Sequence, residues 1–489
     1  MNRRNALAAL AGALLAGCTL GPNFTRPEAP AGGYAHATPA ASATRSVEVG
    51  AEVADDWYQL FHSAALDGLV RSVLAGNPDL EGARHGLVAA QHELRAVAGA
   101  QLPQIDATGQ IGRAHINGSF FYGPVNALKA TGNRFELGPE LAYNLDPFGA
   151  TRRQVEAQRA VTAVARDQVL NTYVTLVDQT VVTAFDYAAS QAEIDVTQSL
   201  VKELESQFEL TRTLEDAGKI TRADTLQAQT QLENLRATLP ALEQQRDTYR
   251  NALAQLTGQT PDSFVMPVLT LRDFTLPQKL PLSLPSSLVR QRPDILAAED
   301  ALHEASANVG VAEAARFPSL SITAQYAQQT SSLSDFLTRP GGIWSAGLNT
   351  TAPLFHGGAL AARQHEAEER YAQAFASYRS TVIAAFVEVA NDLQALDHDG
   401  QGYAAHSVAL AAAAANRDLA LAQYRAGKYT ELQVLTAEQQ YQDAALTEVQ
   451  ADVQRFTDTA ALFRALGGGW WNAPHDPAAL VATAGASHD

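Results

Sequence analysis

Ala217-Gly218-Lys219-Ile220-Thr221 recurs 209 positions later as Ala426-Gly427-Lys428-Tyr429-Thr430. Each copy closes a proline-free stretch that opens on a glycine, at Gly149 and Gly358, and each stretch runs 69 residues from glycine to glycine. At ~1.5 Å per residue, an unbroken helix over either stretch reaches about 100 Å. A globular core does not accommodate such a helix, whereas a coiled coil or a helical tube does. A second helix returns after each Ala-Gly-Lys. In the first return Leu235, Leu242, Tyr249 and Leu256 recur every seven residues, with Leu232, Leu239 and Leu253 beside them. That is a heptad seam for packing against a neighbouring helix. Pro240 interrupts it and is expected to kink or break the helix, because proline removes a hydrogen bond to the preceding turn.

The matches extend outward in order, which marks a duplication rather than chance. Asn77-Pro78-Asp79-Leu80 returns 215 positions on as Arg292-Pro293-Asp294-Ile295, and Leu102-Pro103-Gln104-Ile105 loosely as Phe317-Pro318-Ser319-Leu320. The six-residue difference between the two offsets lies between Pro103 and Gly149, where the first unit is expected to carry a longer loop. Each unit begins with a helical stretch, roughly 63–101 and 285–316. Two strands follow, at about 104–113 and 134–146 in the first unit and about 319–328 and 343–353 in the second. Phe135, Leu137, Leu141, Tyr143 and Leu145 alternate with Arg134, Glu136, Glu140, Asn144 and Asp146, a period of two. Strands of roughly ten residues are the length that spans a membrane. Four cannot close a barrel, and open edges are not tolerated in lipid, so the chain must oligomerise. Two to four copies, giving 8, 12 or 16 strands, all satisfy that requirement.

The N-terminus carries Arg3 and Arg4 and then a short apolar run, Ala6 to Ala16, the pattern of an export signal over residues 1–17. The run ends in Leu15-Ala16-Gly17-Cys18, which resembles a bacterial lipobox, so Cys18 is the expected lipid attachment point through N-acyl diglyceride. Cys18 is the only cysteine, which excludes an intrachain disulfide. Thr19 follows it in place of an aspartate, which implies sorting to the outer membrane. Residues 18–55, rich in Pro, Ala and Gly, read as a lipid-anchored tether. The two repeats occupy 56–283 and 284–469, and 470–489 reads as a loose C-terminal tail. No later stretch reaches the roughly 18 apolar residues of a membrane-spanning helix.

The net charge of −17 excludes nucleic acid as a partner, which needs basic patches. No phosphate-cradling glycine motif, nucleophile elbow or His-Glu-x-x-His is present. Asp397-His398-Asp399 reads as a solvated turn before Gly400 rather than a metal site. His85 and His92 share a helix face without a third ligand, and His356 and His365 lack helical spacing for a shared site. Trp57, Tyr58, Trp344, Trp470 and Trp471 are weighed as an aromatic binding site, with Trp344 better read as a membrane-interface residue flanking a strand. Catalysis and a metal or organic cofactor are not expected.

Gly21-Pro22-Asn23-Phe24, Asp56-Trp57-Tyr58-Gln59-Leu60-Phe61, Leu145-Asp146-Pro147-Phe148-Gly149, Arg290-Gln291-Arg292-Pro293-Asp294-Ile295, Pro353-Leu354-Phe355-His356-Gly357-Gly358 and Tyr424-Arg425-Ala426-Gly427 occur in that order. Across nearly the whole mature chain this series resembles the TolC-like outer-membrane efflux proteins, specifically the NodT-type lipoproteins of resistance-nodulation-division pumps. The resemblance implies a mainly α chain with a membrane β-barrel portion, a homotrimer with a twelve-stranded barrel, and a periplasmic α-helical tunnel. It implies outer-membrane lipid, a periplasmic adaptor and an inner-membrane pump as partners, and passive conduction of small molecules. A channel for type I protein secretion would use the same fold. The resemblance makes Gly218, Lys219, Thr221, Gly427, Lys428 and Thr430 the adaptor-docking tip. It also places a constriction just past the tip, where Leu432 matches an apolar ring. Relatives commonly carry aspartates at the positions of Gln433 and Thr436. Leu432, Thr436 and Gln439 share one helix face, so the lumen stripe is expected to be uncharged. Asp224 is the first-repeat counterpart of Gln433 and either supplies a charged ring or simply favours its helix start.

Overall fold

The computed structural model describes residues 19–28, 46–117, 129–336, 338, 341–476 and 478. They form two compact units, each assembled from three stretches of chain. The first comprises 19–27, 89–164 and 298–378, and the second takes the remainder.

The first unit is built on a four-stranded antiparallel sheet of β2 (Gln104–Asn117), β3 (Lys129–Leu145), β5 (Ser319–Thr330) and β6 (Gly342–Thr351), in the order β2-β3-β5-β6. β1 (Ser46–Val49) and β4 (Lys279–Leu282) form a separate parallel pair in the second unit. In the sheet, Asp106 pairs with Glu140, Glu140 with Gln325, and Gln325 with Ser345, one polar row across all four strands. One residue away, Ile105, Leu141, Ala324 and Ala346 form an apolar row, and Tyr143, Ile322 and Leu348 a second. Because successive side chains alternate faces, the register sorts the sheet into a polar and an apolar face. Ile105, Ile111, Leu137, Trp344 and Leu348 are all exposed. Pro139 sits inside β3, where Gly138 admits the Tyr326 carbonyl: a Cβ there would lie 1.9 Å from that oxygen. The six extra residues of the first repeat do not lengthen a loop. The strands are longer instead, since β2 and β3 hold 14 and 17 residues against 12 and 10 for β5 and β6, nine more, of which three are offset by the shorter segment from β3 to the next helix (146–149 against 352–358).

The helical stretches at the start of each repeat are each split in two: α1 (Ala64–Gly76) and α2 (Pro78–Gly99), then α6 (Pro285–Gln291) and α7 (Pro293–Ala314). Proline offers no N–H and pushes the residue before it to extended backbone. Asn77 and Arg292 accordingly take ψ 123 in both copies. The Asn77 carboxamide oxygen then accepts from the N–H groups of Asp79 and Leu80 at 2.9 and 3.0 Å, capping α2.

The long helices are α3 (Ala150–Asp216) and α8 (Ala359–Arg425), 67 residues each. Their returns are α4 (Arg222–Arg236) with α5 (Leu239–Leu256), and the unbroken α9 (Glu431–Ala465). The break falls where Pro240 demands it, with the proline in the first turn of α5, the one place where its missing N–H costs nothing. Asp397-His398-Asp399 lies inside α8 rather than in a turn, and Asp397 accepts from Gln401 one turn on. A glycine costs a helix interior only about 1 kcal/mol, too little to end a helix whose Leu393 and Leu396 are buried just before it.

The second unit is held by an aromatic cluster. Trp57 stacks on Phe463 at 5.0 Å, and Phe185 meets Phe61, Phe274 and Phe456 at 4.9, 4.8 and 5.3 Å. Trp57 and Tyr58 are therefore core residues, not a binding site, and truncating one such ring to alanine costs about 3–5 kcal/mol. Residues 46–55 are not a free tether: β1 pairs with β4, and Val53 is fully buried in this core. The start of the tail is likewise docked. Trp470 Nε1 donates to the Gln291 carbonyl at 2.7 Å, and Ala478 packs against Leu80 and Val169.

Candidate functional site

The two tip turns are the same device built twice. α3 ends with Gly218 N donating to the Glu215 carbonyl and Lys219 N to that of Leu214, both at 2.8 Å. α8 ends with Gly427 N to Tyr424 and Lys428 N to Gln423, both at 2.9 Å. This 5→2 and 6→1 pair satisfies the last carbonyls of a helix and needs a left-handed residue at the turn. Gly218 and Gly427 supply it, with φ +68 and +72. The returning helices then open on capping boxes. Thr221 N and Oγ1 donate to Asp224 Oδ2 at 2.9 and 2.8 Å, and Thr430 N donates to Gln433 Oε1 at 2.8 Å. Asp224 and Gln433 thus occupy equivalent positions, and each is engaged at its own helix start. Lys219 and Lys428 are exposed.

Past the second turn, Leu432, Gln433, Thr436 and Gln439 are all exposed, while Glu431, Val434, Leu435, Ala437 and Glu438 are buried. The Thr436 hydroxyl donates to the Leu432 carbonyl at 2.7 Å, so it is satisfied within its own helix. The exposed stripe carries no charge. The ionisable groups stand behind it. Glu431 accepts from Gln207 Nε2 at 3.1 and 3.2 Å across to α3. Burial raises the Glu431 pKa, Gln207 and Tyr424 oppose that rise, and Asp224 adds to it. The equivalent turns are therefore close enough to interact electrostatically. Two turns along, Glu438 is only 6% exposed. Burial, then Glu203, push its pKa up to about 7, against the pull of Arg417. Nothing local marks these glutamates as buried, although Glu431 and Glu438 stand at seven-residue spacing with the buried Ala445, beside the buried row Leu435, Val449 and Phe456 of α9. Cys18 lies outside the described residues.

No group of three or more His, Cys, Asp or Glu among the described residues is arranged to hold a metal ion. His85 is exposed, and its one ion-pair contact is Glu81 at 3.9 Å. Among the described residues no helix is long and apolar enough to cross a membrane. The sheet presents an exposed apolar face, and among the described residues β2 and β6 each lack a neighbour on one side.

A family model described as outer membrane efflux protein matches residues 69–259 and 284–468, one segment per repeat. The probable efflux pump outer membrane protein TtgC of Pseudomonas putida is 30% identical over 463 residues, 94% of each chain. The cation efflux system protein CusC of Escherichia coli K12 is 26% identical over 464 residues, 93% of this chain and 97% of that one. Among solved structures, the outer-membrane channel OprN superposes with a TM-score of 0.84 at 29% identity, covering 93% of this chain and all of the other. The open state of the Neisseria gonorrhoeae MtrE outer membrane channel gives 0.79 at 25%, over 92% and 98%. With its duplicated strand pairs, its long helices and matches of this length, the chain belongs to the outer membrane efflux protein family.

Proposed function

We propose that this chain is the outer-membrane channel subunit of a tripartite efflux system, passing small molecules from a pump and adaptor to the exterior. The sheet carries the reading. Its apolar face is exposed, its polar face is continuous across four strands, and among the described residues both edges are open. Lipid cannot satisfy the N–H and C=O groups of an open edge, so the sheet must close against copies of itself. Three copies give a barrel of twelve strands, an even number within the range of such barrels. The polar rows then line a lumen and the apolar rows face lipid. The turns at Gly218 and Gly427, with Lys219, Lys428, Thr221 and Thr430 beside them, form the tip that docks the adaptor. The exposed stripe Leu432, Gln433, Thr436 and Gln439 lines the inner constriction, and Cys18 carries the lipid anchor. Relatives are named for antibiotic, toluene and cation efflux, so substrate choice rests with the pump rather than with this fold.

The test is reconstitution of the purified lipoprotein in planar bilayers. The expected result is discrete conductance steps from an oligomer that cross-links to three copies. A cross-linked trimer that never conducts would reduce the protein to a structural coiled-coil lipoprotein, and a non-trimeric oligomer would overturn the twelve-stranded closure.

A further inference from the structure

Within the first unit, beside the end of β3, Thr19, Arg152, Arg153, Glu156, Arg159 and His303 line a cavity of about 560 Å³. One arginine builds its wall. The Arg153 side chain is 3% exposed and donates to the Leu20 and Gly21 carbonyls at 3.0 and 3.1 Å, to Asn23 Oδ1 at 2.9 Å and to Glu156 at 2.6 Å. Phe24 stacks on His303 at 4.3 Å, and His303 Nε2 lies 3.0 Å from Glu156 Oε1. Gly21, at φ +84, packs so closely on Gly310 that a Cβ would come within 2.3 Å of its Cα. Residues 19–24 are thus clasped to the helices, and Leu20 N donates to the Phe148 carbonyl at 3.1 Å, just past the strand end.

The charge count leaves one cation over. Arg153 is matched by Glu156, and Arg152 donates to Asp146 Oδ2 and to the Asp146 carbonyl. Arg159 is exposed and makes no hydrogen bond or ion pair among the described residues. It lies seven residues from Arg152, on the same face of α3 and about 10 Å along it. Helical side chains lean toward the helix N-terminus, so both arginines lean back toward the strand ends. The layer between hydrocarbon and water is about 5–8 Å thick on each side of a bilayer, within reach of an arginine side chain.

On the reading that the sheet spans the outer membrane with these strand ends at its periplasmic face, we propose that this cavity binds the phosphate of a phospholipid headgroup from the adjoining leaflet. Arg159 is its principal ligand and Arg152 supports it. The guanidinium fork matches a phosphate with two parallel hydrogen bonds, and the excess positive charge faces the layer where phosphates stand. The anchor expected on Cys18 precedes Thr19 by one residue. Its glyceride would occupy the same layer, so the site places a bound lipid beside the covalent one.

The experiment uses the full lipid-anchored protein in neutral detergent, with phosphatidylglycerol as the probe, native mass spectrometry to count bound lipid, and a thermal midpoint. Wild type should retain phosphatidylglycerol, and the lipid should raise the midpoint. Arg159→Gln should weaken retention by about tenfold or more, the loss of one charge-assisted contact. The exposed, unpartnered position of Arg159 lets the variant fold, which its circular dichroism verifies. Equal retention by R159Q would overturn the site. So would millimolar inorganic phosphate raising the wild-type midpoint as far as the lipid does, which would make it a site for a soluble anion. Wild-type conductance in bilayers of neutral lipid reads the channel function separately. A conducting protein that holds no lipid sinks this site alone, and a protein that does not conduct sinks the reading beneath it.

Discussion

Replacing Glu438 by glutamine should tighten the seam between α9 and the long helices at high pH and leave it unchanged at low pH. Glu438 is buried, and charges on three helices act on it. α3 brings Glu203, α8 brings Arg417 and Asp418, and Glu431 stands on its own helix. The one nearby cation is already engaged: Arg417 donates to Glu203 and to Asp418, both at 3.0 Å, and lies 3.9 Å over the Tyr441 ring. Burial and Glu203 therefore dominate, moving the pKa from 4.5 to about 7. At ~1.4 kcal/mol per pH unit, that difference corresponds to about 3 kcal/mol. The sign is opposite to that of a salt-bridged carboxylate. Below 4.5 the group is protonated whether the seam is closed or open, and it costs nothing. Between 4.5 and about 7 only the closed seam holds the proton, so its stability falls as pH rises. Above about 7 the full penalty applies. Asp392 and Asp178, raised by burial to about 7 and about 6, push the wild type in the same direction, so variant and wild type must be compared at each pH. The assay is amide hydrogen exchange in α9, corrected for the intrinsic pH dependence of exchange. E438Q should slow exchange around residues 431–445 by about a hundredfold at pH 8 and leave it within about threefold of wild type at pH 4.5. Identical exchange at pH 8, or an effect of equal size at both pH values, would refute the reasoning.

Cys18→Ser should abolish labelling with radioactive palmitate while leaving the strands able to insert, and persistent label in that variant would remove Cys18 as the anchor. Gly427→Asp places a side chain at φ +72 on the exposed tip, so trimers that still insert should lose efflux. Drug susceptibility at the wild-type level would show that docking does not depend on this turn. Multivalent cations added from the periplasmic side should block conductance only weakly, because the exposed stripe past Gly427 is uncharged. Strong block at low concentration, relieved by Asp224→Ala, would place an acidic ring at Asp224. That variant also loses the capping box with Thr221, which costs about 1 kcal/mol at the start of α4.

What was legible in advance was whatever depends on local chemistry and on order along the chain. The proline-free stretches read as long helices because helix formation is local, and Gly218 and Gly427 marked their ends because few residues accept positive φ. Pro240 marked the break in the first return for the same local reason. Pro78 and Pro293 carry the same signal, and beyond marking the repeat each sets a helix boundary. Alternation in β3 was clear. The extra length of β2 and β3 was not, because glycine, proline and polar residues dilute the period while the ladder to the neighbouring strand holds the backbone extended.

The sequence by itself determined the duplication, the lengths of the two long helices and the four strands of the sheet, since composition, period and turn chemistry act over a few residues at a time. Only the tertiary structure decided which side chains lose water. Trp57, weighed as a ligand-binding ring, became core because Phe463, more than four hundred residues away, closes over it. Residues 19–24 and 46–55, tether-like in composition, are held by Arg153 and by β4, partners remote in sequence. Glu431 and Glu438 look like ordinary surface acids until α3 and α8 cover them. Desolvation is a property of everything packed around a group, and no window along the chain contains it.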